Sequence, residues 1–304
     1  DVPVPEQSGF SSSIQNIGKV RNSGLELELS GHINLGKVKW NASANIAANK
    51  NKVLALAPGQ TRIISGAESN FYTKVGGPVA ALYGYNVTGI YKSREAIDNS
   101  AHLAGTVVGD YIVTDTNGDG IVNSLDMTAQ GSYFPKLTYG LTNDFSYKGF
   151  GLNFSLAGVA GRKIFDRQLS SQNESGEGFS VPTKYYFEHR YHPENNPQGF
   201  FGQPNMGNFS TARKAARASN LYYQKGDYLR IRSMQLSYAI NPSVLSVLKV
   251  SAARIYVSAN NLFTITKYRG FNPDATTGSV LTSGQAVSNY PVARSYQVGM
   301  NVTF

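Results

Sequence analysis

A chain of 304 residues can bury one large core or two small ones, but its composition is more selective. Charged residues are only 15%, glycine is 31 residues, and tyrosine (19) and phenylalanine (15) far outnumber the one tryptophan, a mixture that suits strands and turns better than helices. Cysteine is absent, which excludes disulfides, thiolate metal sites and a cysteine nucleophile. The net charge of +9 is scattered outside TARKAAR (Thr211 to Arg217), so it marks solvated surface and no nucleic-acid stripe.

The opening DVPVPEQSGFSSS is polar loop sequence without a signal peptide, which reads as the interior of a longer protein. The first strand follows: Leu25, Leu27, Leu29, Ile33 and Leu35 alternate with Glu26, Glu28, Ser30, His32 and Asn34. After Gly36 and Lys37 the alternation resumes in phase at Val38, Trp40, Ala42, Ala44 and Ile46, as a two-residue hairpin requires. A second hairpin places Leu137, Tyr139, Leu141, Phe145 and Tyr147 before Lys148 and Gly149, and Phe150, Leu152, Phe154 and Leu156 after them.

Met234, Leu236, Tyr238 and Ile240 form a fifth strand. Leu229 and Ile231 enter it in the opposite parity, predicting a bulge near Arg232 and Ser233. Ile255, Val257, Ala259, Phe263 and Ile265 form a sixth. Tyr296, Val298, Met300, Val302 and Phe304 form a seventh that ends with the chain. Connections on one side are short, whereas those at about 51–136, 161–226 and 266–293 are long. This asymmetry is characteristic of an outer-membrane barrel, with turns in the periplasm and loops outside the cell. No run of about 18 apolar residues exists for a transmembrane helix, which leaves a barrel open. Seven strands cannot close in lipid by themselves, so more chain is expected before Asp1, with Asp1 to about Arg21 lying outside the cell. A self-contained eight-stranded barrel is the variant in which residues 1–21 or a long loop supply the missing strand, LYGYNVTGIY within 51–136 being a candidate.

Asp115 to Asp126 reads DTNGDGIVNSLD. Asp115, Asn117, Asp119, Ile121 (through its carbonyl), Asn123 and Asp126 occupy positions one, three, five, seven, nine and twelve of a calcium loop, with Gly120 at the sharp turn. All donors are oxygen, which points to structural Ca2+; the other reading is an ion-free Asx-Gly turn. Tyr83, Tyr85 and Tyr91 are candidate contacts for a substrate or partner, although loop tyrosines more often pack. His189 and His192 precede Pro193, which disfavours a helical metal pair. Glu174 with Glu177, and Glu188 with Glu194, lie in polar stretches where solvated acids are the default. No nucleophile elbow or phosphate loop is present, and no catalytic residue is expected.

NIGKVRNSGLELELSG (Asn16 to Gly31), LYGYNVTGIYKS, DTNGDGIVNSLD, FPKLTYGLTNDFSYKGF, DYLRIRSMQLSYAI, RIYVSANNLFTITKYRGFNPD and YPVARSYQVGMNVTF resemble, in order and over nearly the whole chain, signature blocks of the SusC/RagA family of TonB-linked transporters. The resemblance implies an all-β, antiparallel transmembrane barrel of the roughly 22-stranded, plugged kind, of which residues 1–304 supply the last seven or so strands. It further implies active import of a glycan or peptide across the outer membrane of a Gram-negative, Bacteroidota-like bacterium. The expected partners are a SusD-like surface lipoprotein, the TonB complex acting through the upstream region, the remainder of the barrel, and lipid with lipopolysaccharide. A secreted, calcium-stabilised β-rich hydrolase or carbohydrate-binding module is the alternative; it leaves the outward Leu, Trp and Phe rows unexplained.

Overall fold

The computed structural model describes residues 2–3, 12–13, 18–174, 181–203, 211–245, 250–274, 279–287 and 290–304. All seven expected strands form, and in one sheet. They are β1 (Lys19–Leu35), β2 (Val38–Ala55), β3 (Leu137–Tyr147), β4 (Phe150–Ala160), β5 (Tyr228–Ala239), β6 (Ala252–Thr266) and β7 (Ser295–Thr303). Each pairs antiparallel with the next in sequence, so the order is a plain meander with β1 and β7 at the edges. The turns are locally encoded. Gly36 has φ 63 at the first central position, as a II′ turn needs, and Lys148 (φ 45) with Gly149 (φ 84) supplies the two positive φ angles of a I′ turn.

Register keeps the two faces apart. Leu27 lies opposite Ile46, Ile33 opposite Trp40 and Leu35 opposite Val38; Phe145 lies opposite Trp40 and Val257 opposite both Leu236 and Val298. The expected bulge is present, since Ser155 and Leu156 are adjacent while their partners Ser233 and Ile231 skip Arg232. Among the described residues no protein core covers the apolar face: Leu27, Leu29, Val257, Val298 and Met300 are all more than half exposed. Residues 25–35 and 38–48 carry this apolar set, which matches the about 9–11 residues that a tilted strand needs to cross a bilayer. Trp40, Phe145, Tyr147, Phe150 and Tyr238 gather near the short turns, as an aromatic girdle does at a membrane boundary.

One polar residue breaks the outward row. Asn143 lies opposite Ala42 and Phe154 in the apolar phase, is only 4% exposed, and accepts a 3.0 Å bond from the Trp40 indole N–H. Trp40 stacks on Phe145 at 5.4 Å, and Phe145 on Phe154 at 6.3 Å, so rings roof the amide. Trp40→Phe removes the donor and keeps the roof. It is expected to cost about 1–3 kcal/mol in a bilayer unfolding titration of the full-length barrel, and much less in an Asn143→Ala background; equal costs in both backgrounds would refute the pairing.

The long connections have structure of their own. In the first, Arg62–Ser65, Phe71–Lys74, Ala81–Gly84 and Thr128–Ser132 form a four-stranded sheet, and Val87–Ile90 pairs with Tyr111–Val113. LYGYNVTGIY therefore belongs to these small sheets and adds no strand to the barrel wall. Helix α1 (Arg94–Asp98) lies in the same connection; α2 (Arg167–Glu174), α3 (Lys184–His189) and α4 (Thr211–Arg217) lie in the second. Among the described residues, the buried apolar side chains are found almost entirely here. One cluster joins Val53, Phe71, Leu82, Phe165, Phe201 and Tyr223; another joins Val87, Ile90, Leu103, Val113, Val122 and Ala216. Val53 shares the parity of Asn41 and Ser43, so the loops fold over the polar side of the sheet.

Candidate functional site

The two clusters meet at a buried ionic centre. Glu174, at the end of α2, is 1% exposed and Arg213 of α4 is 4% exposed. Arg213 Nη1 donates to Glu174 Oε2 at 2.9 Å and to the Tyr186 hydroxyl at 3.0 Å, while its Nε lies 3.8 Å from Asp110 Oδ1. Both Tyr111 and Tyr222 donate to Glu174 Oε1, the latter at 2.7 Å, and Tyr186 donates onward to the Gly202 carbonyl at 2.7 Å. Burial pushes the Glu174 carboxyl up, partly offset by Arg213 and the phenols. Burial also works against the Arg213 cation, but the carboxylate beside it prevails and leaves the guanidinium more basic than usual. Burial and the same carboxylate raise Tyr111 and Tyr222 well above the ordinary phenol value and Tyr186 to about 12, so all three remain donors.

This centre corrects two sequence expectations. TARKAAR is no solvated basic patch, because its Arg213 faces inward as the counter-ion of a buried acid and its Ala215 and Ala216 are core. Glu174 is no solvated acid; Glu177 lies outside the described residues. His189 ends α3 and His192 lies beyond it: His189 Nδ1 pairs with the Tyr185 carbonyl at 2.8 Å, and His192 Nδ1 accepts the backbone N–H groups of Glu194 and Asn195.

Beside this centre a cleft of about 250 Å³ opens between the second and third long connections, lined by Leu169 and Gln172 of α2, Tyr185 of α3, and Tyr268, Arg269 and Phe271. Its size suits one ring or one side chain, below the range of about 300–1,000 Å³ that takes whole drug-sized ligands. Asp166 shapes its floor. The carboxylate caps α2 through the Leu169 N–H at 2.9 Å and accepts Gln224 Nε2 at 3.1 Å, and burial pushes its pKa up. The Arg269 guanidinium sits 4.1 Å over the Tyr185 ring, and Phe271 is 64% exposed. Apolar faces with a cation and a polar fringe can stack on a sugar or grip a peptide side chain.

The sequence-nominated tyrosines lie elsewhere. Tyr83 is half-buried, stacked on Tyr72 at 4.6 Å, and Tyr85 is half-buried against the second cluster. Tyr91 is 2% exposed, with its hydroxyl 2.9 Å from Ser100 Oγ; that packing leaves it no surface to offer a ligand. In the acidic loop, Asp115 accepts the N–H groups of Gly118 and Gly120 at 2.7 and 2.8 Å, and the Gly120 bond leads in holding its pKa below the usual carboxylate range. Asn117 and Asp119 are exposed and bonded to each other at 2.9 Å. Asp126 is buried, accepting Thr116 N–H and Asn123 N–H at 2.7 and 2.8 Å. Among the described residues no three His, Asp or Glu side chains already converge as a metal cage does. The all-oxygen donor set at calcium spacing nevertheless fits a hard cation.

No protein-family model matches the chain. The TonB-dependent receptor P3 of Formosa agariphila is 29% identical over 99% of this chain and 30% of its own length. The chain is similar to TonB-dependent receptors. SusC of Bacteroides thetaiotaomicron, also a TonB-dependent receptor, is 23% identical over 100% of the chain and 28% of itself. Among solved structures, the RagAB peptide transporter superposes with a TM-score of 0.74 at 24% identity, covering 100% of this chain and 32% of that one. In its closed-closed state the RagAB peptide importer gives 0.70. The chain thus spans about a third of the relatives it matches, and shares the fold of the matching barrel segment.

Proposed function

We propose that this chain forms part of an outer-membrane importer that takes up a large nutrient, a glycan or a peptide, with energy delivered through TonB and a SusD-like lipoprotein seated on the long loops. The observation that carries the reading is the likeness to TonB-dependent receptors along the whole chain. An apolar sheet face with no protein core behind it supports a bilayer as its solvent, in the outer membrane of a Gram-negative bacterium of the Bacteroidota type. The chain's part is wall and lid-facing loops, with no covalent chemistry. Within it, the cleft of Tyr185, Tyr268, Arg269 and Phe271 contributes one subsite, and Tyr83 and Tyr85 lie on half-buried surface open to a partner. In cells expressing the full-length receptor, uptake of the glycan or peptide that it binds is expected to stop when TonB is deleted. Uptake that persists without TonB overturns the reading.

The Asp115–Asp126 loop is proposed as a Ca2+ clamp, with Asp115, Asn117, Asp119, the Ile121 carbonyl, Asn123 and Asp126 supplying oxygen. Its service is mechanical, stiffening the longest connection. Asp119→Ala is expected to abolish one equivalent of bound calcium in metal analysis of the full-length receptor. The depressed Asp115 pKa adds a pH signature: the loop's hydrogen-bonded form persists above the ordinary carboxylate range and is lost as pH falls through the lowered folded value.

A further inference from the structure

The lipid-facing rows of β1 and β2 end abruptly in positive charge. Moving from the short turn toward the long connections, the outward pairs are Leu29 with Ala44, Leu27 with Ile46 and Leu25 with Ala48, then Ser23 with Lys50 and Arg21 with Lys52. All three cations are exposed, and none forms an ion pair among the described residues. Arg21 and Lys52 are directly opposed, so their Cβ atoms sit about 4.5–5.5 Å apart, and Lys50 lies on the diagonal about 7–8 Å away. Like charges in that register destabilise a strand pair. The nearest acids along these strands, Glu26 and Glu28, have the other parity and point to the opposite face.

Three cations with no ion pair among the described residues stand at the upper border of the apolar band, where the membrane itself offers anions. We infer that Arg21, Lys50 and Lys52 form a binding patch for the phosphate of an outer-leaflet lipid headgroup, with the Ser23 hydroxyl beside it. The placement is selective: the patch starts one row beyond Leu25 and Ala48, where a headgroup lies, and it is on the long-connection side, which barrels turn to the cell exterior. Arginine gives a fork to two phosphate oxygens and the lysines add point charge.

This inference rests on the membrane-barrel reading, and the experiment separates the two. The full-length receptor and its Arg21→Gln, Lys50→Gln, Lys52→Gln triple variant are inserted into phosphatidylcholine bilayers. Retained lipid A is then measured against dephosphorylated lipid A, with inorganic phosphate as competitor. The expected result is normal insertion of both proteins, at least a tenfold weaker retention of lipid A by the variant, no preference for the variant's parent once the lipid is dephosphorylated, and no competition by millimolar phosphate. Equal retention by parent and variant overturns the patch while leaving the barrel intact. Competition by free phosphate overturns the lipid assignment, since the patch is then a general anion site. Failure of the parent to insert overturns the barrel reading and the patch together.

Discussion

Glu174→Ala in the full-length receptor is expected to undock the second long connection from the first while the barrel strands stay folded. The substitution takes from Arg213, only 4% exposed, the carboxylate at 2.9 Å and leaves it the longer contact to Asp110 at 3.8 Å. Removing one partner of a buried pair costs about 3–5 kcal/mol, because the remaining charge is stranded away from water. The loss falls locally: Glu174 joins α2 to α4 through Arg213, and to Tyr111 of the first connection through Oε1. Amide exchange in residues 181–203 and 211–225 should rise, together with exchange at Tyr111–Val113, while β3 and β4 remain protected. Glu174→Gln keeps the shape and an acceptor for the phenols but loses the charge, so its effect should be intermediate. Pairing Glu174→Leu with Arg213→Met removes the stranded cation but takes the acceptor from the buried Tyr111 and Tyr222 hydroxyls, so it should recover only part of the protection. Unchanged exchange in Glu174→Ala would mean that apolar packing alone docks the loops.

Such undocking would also reach the cleft. Helix α2 carries Glu174 at one end and Leu169 and Gln172 on the cleft wall, so a change at the ionic centre tilts the element that shapes the subsite. Tyr185 and Tyr186 are adjacent on α3, one facing the cleft and the other bonded to Arg213. Loop docking and ligand contact are therefore built on the same two helices.

The wall was legible in the sequence because its two sides face different solvents. A strict period of two survives through β1 and β2 when every second side chain must meet lipid, and the parity switch at Arg232 marks its bulge in the sequence itself. Asn143 escaped that reading because it sits in the apolar phase yet is roofed by rings from neighbouring strands, which becomes visible only once register places Trp40 beside it. The loops were less legible for a related reason. Their cores join residues far apart in sequence, and short strands such as Val87–Ile90 are too brief for periodicity to assign to one sheet or another. Glu174 and Arg213 are read singly as solvated charges by default; only their convergence buries them. A faint signal did exist in TARKAAR, where alanines between the basic residues allow the close approach that α4 makes.

Leu29→Arg should destabilise the full-length barrel by about 2–4 kcal/mol, whereas Leu25→Arg should cost only about 0–1 kcal/mol, when each is folded into phosphatidylcholine bilayers and unfolded with denaturant. Both leucines are well exposed within this chain, at 62% and 78%, so packing against protein predicts little cost for either. Lipid predicts a gradient. Leu29 sits mid-way along the outward rows, opposite Ala44, where a guanidinium has no water or headgroup within easy reach. Leu25, opposite Ala48, is the last apolar row before Ser23 and Lys50, so an arginine there can snorkel to the interface. A water-soluble sandwich with a hidden partner sheet would penalise both substitutions, and an exposed sheet in water would tolerate both. Only a bilayer distinguishes two leucines of one face by depth, and a flat cost profile from Leu25 to Leu29 would remove the physical ground for placing this sheet in a membrane.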